Sequence, residues 1–385
     1  GNMIERNIFN EEHETFRRSV RRFVESEVAP NHGKWEEIGV VPKEAWLRAG
    51  QAGILCCAIP EEYGGLGGTF LHSAIVIEEL ARTGSNGPCW PLHSDIVAPY
   101  ILHHGSEELK QKWLPRMATG EIRAAVGMSE PSGGSDLQAI RTNAKRDGND
   151  YIINGQKIWI SNAQGADIIV VACKTDPTAR GKGISLIIVE TDRPGFARSS
   201  PLKKVGSHAQ DLSELFFTDV RVPASNLVGI ENQGFLHLMQ ELGQERLVQA
   251  VKSVASAEAM LNWTIEHTTQ RNAFGKKLAD FQNTQFVLAD LYSQILQNRV
   301  FVDRCLELHV QGKMGSELAA VAKMMAAEMQ GRVADACLQF FGALGYMRET
   351  PIGRAWIDAR QARIAGGSIE IMKLIISRKI LPRAK

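Results

Sequence analysis

The segment Gly127-Met128-Ser129-Glu130-Pro131-Ser132-Gly133-Gly134-Ser135-Asp136-Leu137-Gln138-Ala139 gathers small hydroxyl residues and glycines into one turn. Backbone amides freed by glycine, together with short hydroxyls, can approach a planar ring or an anion closely. The same composition also makes an ordinary loop between strands. A second Gly-rich stretch, Gly64-Gly65-Leu66-Gly67-Gly68, follows no strand and lacks the spacing that opens a dinucleotide-binding helix, so it is expected to be a structural loop. No HExxH is present, and the adjacent His103 and His104 fall at an expected helix end without metal-ligand spacing, so no metal is expected. Glu245, inside Gln244-Glu245-Arg246, reads by spacing alone as a helix-surface acid paired with a Lys or Arg.

The elements that must position these residues follow from pattern and composition. At about 150 residues per domain, 385 residues suggest two or three domains. With 44% hydrophobic and 23% charged residues the chain is folded rather than disordered. Lys plus Arg (44) nearly balances Asp plus Glu (43), and no run of like charge offers a nucleic-acid arm. The longest apolar runs, such as Ile168 to Cys173 and Ile184 to Val189, fall well short of the ~20 residues that span a bilayer, so no membrane insertion is expected. The first twenty residues mix acids and bases without an apolar signal core, which points to a cytoplasmic protein. The six cysteines are scattered and form no CxxC, as reduced core residues do.

The apolar period changes twice. Residues 1–120 follow a helical period, with Phe16, Val20, Phe23 and Val24 at three- and four-residue steps. Residues 121–230 switch to strands punctuated by Asp147-Gly148 and Asn154-Gly155. Residues 231–385 return to long helical stretches at 247–271, 281–311 and 316–341. The fold class expected is multi-domain α+β: an N-terminal all-α domain, a middle antiparallel, barrel-like β domain and a C-terminal four-helix bundle.

Residue for residue, the 127–139 turn resembles the first signature of the acyl-CoA dehydrogenase flavoprotein family, and Trp159-Ile160-Ser161-Asn162 resembles the strand that covers its flavin. Arg271-Asn272-Ala273-Phe274-Gly275 with Gln282 is similar to the bundle motif that reaches a neighbouring subunit's FAD. Gln339-Phe340-Phe341-Gly342-Ala343-Leu344-Gly345-Tyr346 resembles the second signature, with Ala343 where Gly or Ser is usual. The resemblance spans the chain and implies α,β-dehydrogenation of an acyl-CoA thioester. It also implies FAD as cofactor, an electron-transferring flavoprotein as acceptor and a homotetramer built as a dimer of dimers. By the same resemblance Val126, Met128, Ser129, Ser135, Trp159, Ser161, Arg271, Phe274, Gln282, Gln339, Phe340, Gly342, Ala343, Ser368 and Glu370 are the expected cofactor contacts. Ser135, Leu236, Gln244, Arg246, Gly366 and Gly367 are the expected substrate contacts.

The reaction needs a carboxylate whose pKa is raised by a water-poor pocket and donors aimed at the thioester oxygen. Many family members carry the base in a Tyr-Glu-Gly-Thr segment. Here that segment is Ala365-Gly366-Gly367-Ser368, so either catalysis is lost or the base has moved. The long-chain and isovaleryl members place the base before an Arg in the first bundle helix, where this chain has Glu245. The resemblance therefore implies Glu245 as base, with the Gly366 N–H on the thioester oxygen. It runs closest to the long-chain and isovaleryl branch, which implies β-oxidation-type chemistry leaning to longer acyl chains. An isovaleryl-like enzyme, an oxygen-using flavin oxidase and a non-catalytic flavin-binding scaffold are the alternatives. Ile369 stands where Asn is usual, and pocket depth is assigned to residues around Cys89 to Pro99.

Overall fold

The computed structural model describes residues 3–132, 136–179 and 181–383. The apolar steps at Phe16 and Val20 lie in α1 (Glu11–Phe23), whose start is fixed by reciprocal capping: Asn10 accepts from the His13 N–H and His13 from the Asn10 N–H. Helices α2 (Ala29–Ile38), α3 (Lys43–Gln51), α4 (Phe70–Arg82), α5 (Ala98–His104) and α6 (Glu107–Ala118) complete the first layer. The glycine stretch before α4 is a packed loop, because a Cβ on Gly65 would lie 2.0 Å from the Ile59 carbonyl oxygen.

Eight strands follow: β1 (Ala124–Gly127), β2 (Asn143–Asp147), β3 (Asp150–Ser161), β4 (Ile168–Lys174), β5 (Ile184–Glu190), β6 (Phe196–Arg198), β7 (Leu212–Pro223) and β8 (Leu227–Val228). They form one sheet in the order β6-β7-β3-β2-β4-β5-β8, with β1 beside β4. Most ladders are antiparallel as expected, with two parallel exceptions: β1 pairs with β4 in parallel, Ala124 opposite Ile168, and β2 touches β4 in parallel at Asn143 and Lys174. A period of two reports alternating burial, not strand direction; β1 reaches β4 only through the intervening β2–β3 hairpin, and such a crossover permits parallel pairing. The apolar runs of β4 and β5 are buried on both faces. Ile168, Val170 and Ala172 pack toward α5 and α6, whereas Ile169, Val171 and Cys173 face the inner β core.

The last layer holds α7 (Gly234–Gln270), α8 (Gln282–Val310), α9 (Ser316–Phe340), α10 (Pro351–Asp358) and α11 (Ile369–Ile380), with a two-strand hairpin, β9 (Asn272–Ala273) and β10 (Lys276–Lys277), between α7 and α8. Alternating direction makes α7 and α9 parallel, so their N-termini share one end of the bundle and their C-termini the other. Helix α7 begins 13 residues earlier than its clean apolar period, which places Glu245 within it. The core joins α7, α8 and α9 to Phe70, Leu71, Ala74 and Ile77 of α4, so the bundle is sealed partly by the first domain. Ile369 is buried with Ala327 and Ala362, which accounts for an apolar residue at that position. All six cysteines are free and buried.

Candidate active site

Two buried ionic residues fix the 127–139 turn. Lys157 of β3 is 0% exposed, and its Nζ donates to Glu130 Oε2 at 2.8 Å and to the Met128 carbonyl at 3.0 Å. Glu130 also accepts from the backbone N–H groups of Arg141 (2.5 Å) and Thr142 (3.1 Å), and the Ser129 carbonyl accepts from the Ile158 N–H. The turn is thus stitched to β3 on either side of the two positions expected to meet the flavin. Sequence reasoning gave neither Glu130 nor Lys157 a role; the legible signal was a lysine at an inward position of an alternating strand.

One residue past this stitch the β3–β7 register slips between Lys157 and Ile160. Trp159 takes φ +60 in this bulge and leaves its indole 58% exposed despite its place in a strand. Val126, Met128 and Ser161 lie close by as partly buried members of β1, the turn and β3. Ser135 lies outside the described residues.

Of the other expected cofactor contacts, all but Ser368 and Glu370 gather at the C-terminal end of the bundle. Arg271 ends α7, and Phe274 and Gly275 form a two-residue hairpin turn with φ +53 and +82. Phe274 is 98% exposed. His267 stacks on Phe341 with centroids 4.2 Å apart, drawing the end of α9 and its Gln339, Phe340, Gly342 and Ala343 toward the end of α7. Gln282 opens α8 after the same hairpin. Tyr346 is 84% exposed, and Arg271 has no carboxylate in ion-pair range among the described residues. Bare aromatic planes, open N–H-bearing turns and an unpaired guanidinium fit a flat heterocycle carrying phosphates.

At the opposite end of the bundle, Glu245 makes no hydrogen bond or ion pair among the described residues. Its side chain is partly accessible although protein packs closely around it. Burial raises its pKa, and the positive charges of Lys323 and Arg246 only partly offset that rise. The other buried glutamates behave oppositely. Burial is outweighed at Glu78 by Arg6, Arg299 and Arg17, at Glu130 by Lys157 and backbone N–H groups, and at Glu241 by His103 and His104, so each is held low. Asp95 is pushed up to about 7 by burial, but it is sealed at 3% exposed, with Oδ1 unpaired and inaccessible. Glu245 is thus partly accessible, without a hydrogen-bond or ion-pair partner among the described residues and raised by burial, where the buried Glu78, Glu130 and Glu241 are paired and held low.

Beside it, Ala365-Gly366-Gly367 turns into Ser368, which caps α11 by accepting from the Ile371 N–H; Glu370 is exposed in the first turn. Gly366 and Gly367 take φ +66 and +99, and neither N–H has a hydrogen-bond partner among the described residues. The expected substrate contacts divide. Leu236 is exposed early in α7, whereas Gln244 donates to the Asp95 carbonyl at 2.7 Å and lies 2.8 Å from His309 Nε2. Arg246 is buried, donating from Nη1 to the Ser316 carbonyl at 2.9 Å. His103 Nδ1 lies 2.5 Å from Glu241, and the His104 ring stacks on His237.

The chain matches three family models: acyl-CoA dehydrogenase N-terminal domain over residues 10–121, middle domain over 125–220 and C-terminal domain over 232–381. It is 48% identical to a long-chain specific acyl-CoA dehydrogenase of Sus scrofa, covering 98% of this chain and 88% of that one. It is 35% identical to an isovaleryl-CoA dehydrogenase of Pongo abelii, covering 97% and 89%. A solved acyl-CoA dehydrogenase from Geobacillus kaustophilus superposes with a TM-score of 0.96 at 46% identity, covering 98% of this chain and 100% of that one. The chain belongs to the acyl-CoA dehydrogenase family and is an FAD-dependent oxidoreductase. No described helix is long and apolar enough to cross a membrane.

Proposed function

We propose that this protein dehydrogenates long-chain acyl-CoA thioesters with Glu245 as the base. The observation that carries the reading is an accessible, unpaired carboxylate with a raised pKa beside a glycine turn that has free N–H groups. The Gly366 N–H binds the thioester oxygen, where negative charge grows as the α-proton leaves. Glu245 Oε takes that proton. Its raised pKa makes it a stronger base than an exposed glutamate, and the absence of a competing partner leaves its lone pairs free. FAD, when bound, supplies the acceptor for the β-hydrogen as hydride. Met128, Ser129, Trp159 and Ser161 hold its ring end, and Arg271, Phe274 and Gln339 hold its phosphate-bearing end from a second copy of the chain.

The preference for longer chains rests on 48% identity to the long-chain relative against 35% to the isovaleryl one. Two further features belong to the same reading: a homotetramer built as a dimer of dimers, supported by the bare Phe274 and Tyr346, and an electron-transferring flavoprotein as acceptor. A cytoplasmic setting is also part of it, supported by six unpaired buried thiols, although the pig relative is named as mitochondrial. Bleaching of flavin absorbance across acyl-CoAs of increasing chain length tests catalysis and substrate together. The expected optimum lies among long straight chains; an optimum at a short branched chain overturns the assignment.

A further inference from the structure

One buried cation is unused by this chemistry. Lys323, at the start of the third turn of α9, is 1% exposed and has no carboxylate in ion-pair range among the described residues. Its Nζ instead donates to the carbonyl oxygens of Ala365 and Gly367, the latter at 2.6 Å. Burying an ammonium group costs several kcal/mol unless its surroundings return the loss, so this placement calls for a reason.

Peptide geometry supplies one. In a trans peptide the carbonyl of one residue and the N–H of the next share a plane and point in opposite directions. Holding the Ala365 oxygen therefore fixes where the Gly366 N–H points, and holding the Gly367 oxygen fixes the Ser368 N–H. Two successive glycines with positive φ have the widest conformational freedom in the segment, so without a clamp this peptide would sample several orientations. We propose that Lys323 is a positioning residue that pins the Ala365–Gly366 peptide so that its N–H is presented to the thioester oxygen. The proposal rests on the reading of Gly366 as oxyanion donor and Glu245 as base. A second consequence concerns that base: the groups sensed at the Glu245 and Lys323 pair are Arg246, Tyr100 and each other. Lys323 favours the ionised form of Glu245, and Glu245 in turn supports the ammonium, whose pKa burial has brought down to about 8.

The test uses FAD-loaded Lys323→Met, Lys323→Arg and Glu245→Gln proteins. A 3-ketoacyl-CoA ionises to its enolate without a protein base, so its apparent pKa when bound reports the oxyanion donors together with the nearby charges of Lys323 and Glu245. In Lys323→Met that pKa is expected to rise. Flavin bleaching by acyl-CoA should slow by about tenfold to a hundredfold, less than or near the 10²–10³ lost when an oxyanion donor is removed outright. The acid limb of the bleaching rate should move to higher pH, because loss of a nearby cation raises the base's pKa. Lys323→Arg should keep the limb in place and recover part of the rate. If Lys323→Met does not fold, Lys323→Gln is measured in the same way, with the same expected rise in enolate pKa and shift of the limb. An enolate pKa equal to wild type in the folded neutral variant overturns the proposal. Glu245→Gln separates the two readings: full activity there removes the base assignment, while an enolate pKa that still depends on Lys323 leaves the clamp standing.

Discussion

The two ends of the helical bundle treat charge and exposure in opposite ways. At the N-terminal end Arg246 and Lys323 are buried and each bonds a backbone carbonyl, while Glu245 has no hydrogen-bond partner among the described residues. At the C-terminal end Arg271, Phe274, Gln339 and Tyr346 stand bare, with aromatic side chains exposed that a folded core would normally cover. An enclosed site tunes proton affinity, because charge interactions are strong where water is scarce. An exposed, apolar and cationic site completes itself by binding something else. The contrast predicts that substitutions at the first end change rate with little change in assembly, and that substitutions at the second do the reverse.

The largest departure should come from Glu245→Gln. Turnover is expected to fall by about 10²- to 10⁴-fold, the usual contribution of a positioned base, while FAD content, oligomeric state and acyl-CoA binding stay near wild type. In the wild-type enzyme the acid limb of kcat/KM should lie above the range of an ordinary glutamate, since burial raises the Glu245 pKa and activity requires its ionised form. A limb at the ordinary position, or near-full activity in the Gln variant, places the base elsewhere. The cradle of the β domain offers the next test. Lys157→Met strands Glu130 without its cation, and breaking a buried pair from one side costs about 3–5 kcal/mol. Thermal unfolding should show that loss together with weakened FAD retention. Glu130 itself is held below the ordinary glutamate range, since Lys157 and backbone donors outweigh its burial. Its stabilisation is therefore complete above that range and is lost as pH falls through the depressed value.

How much of this was legible beforehand depended on whether function was written in residue type or in geometry. The order of helical, β and helical segments followed from periodicity alone, because a 3.6-residue stripe and a two-residue alternation each need a partner to cover them. The parallel β1–β4 pair did not follow, since direction leaves no mark on alternation. Within the site, Trp159 and Arg271 were visible as motif members. The bulge that turns Trp159 outward was not, because it is a slip in register rather than a choice of residue. Lys157 and Lys323 were missed for a different reason. Lysine is ordinarily a surface residue; the inward place of Lys157 in an alternating strand was the one sign of its burial, and for Lys323 only the fold reveals that it is enclosed against carbonyls.

Arg271→Ala sharpens the contrast from the exposed end. A charge-assisted contact to phosphate contributes roughly 1.5 to 3 kcal/mol, so its loss should weaken FAD retention by about tenfold or more and loosen the proposed dimer together with it. Arg141, whose side chain is exposed and outside the motifs, serves as control: Arg141→Ala should change neither. Dialysis followed by flavin fluorescence measures the first effect and sedimentation the second. Equal losses in both variants would mean that the bare end of the bundle is not where the dinucleotide is held.

The smallest effects expected come from one methyl group at each end. Gly366 and Gly342 have nearly the same left-handed backbone, φ +66 and +59, so Ala at either position should lose about 1–2 kcal/mol to strain alone. Their surroundings differ. A Cβ at 366 meets Lys323 Nζ at 3.3 Å, whereas a Cβ at 342 has nothing within 4 Å. The two variants should therefore unfold at similarly lowered temperatures, yet Gly366→Ala should also slow flavin bleaching, because the methyl presses on the cation that holds its own peptide. Gly342→Ala should keep the bleaching rate and show at most a small change in FAD affinity. Introducing a carboxylate by Gly366→Glu into Glu245→Gln meets the same strain and the same ammonium, so the rescue of turnover should be partial. Full recovery would show that the glycine turn opens easily, and that the enclosure drawn for this end of the bundle is looser than its hydrogen bonds imply.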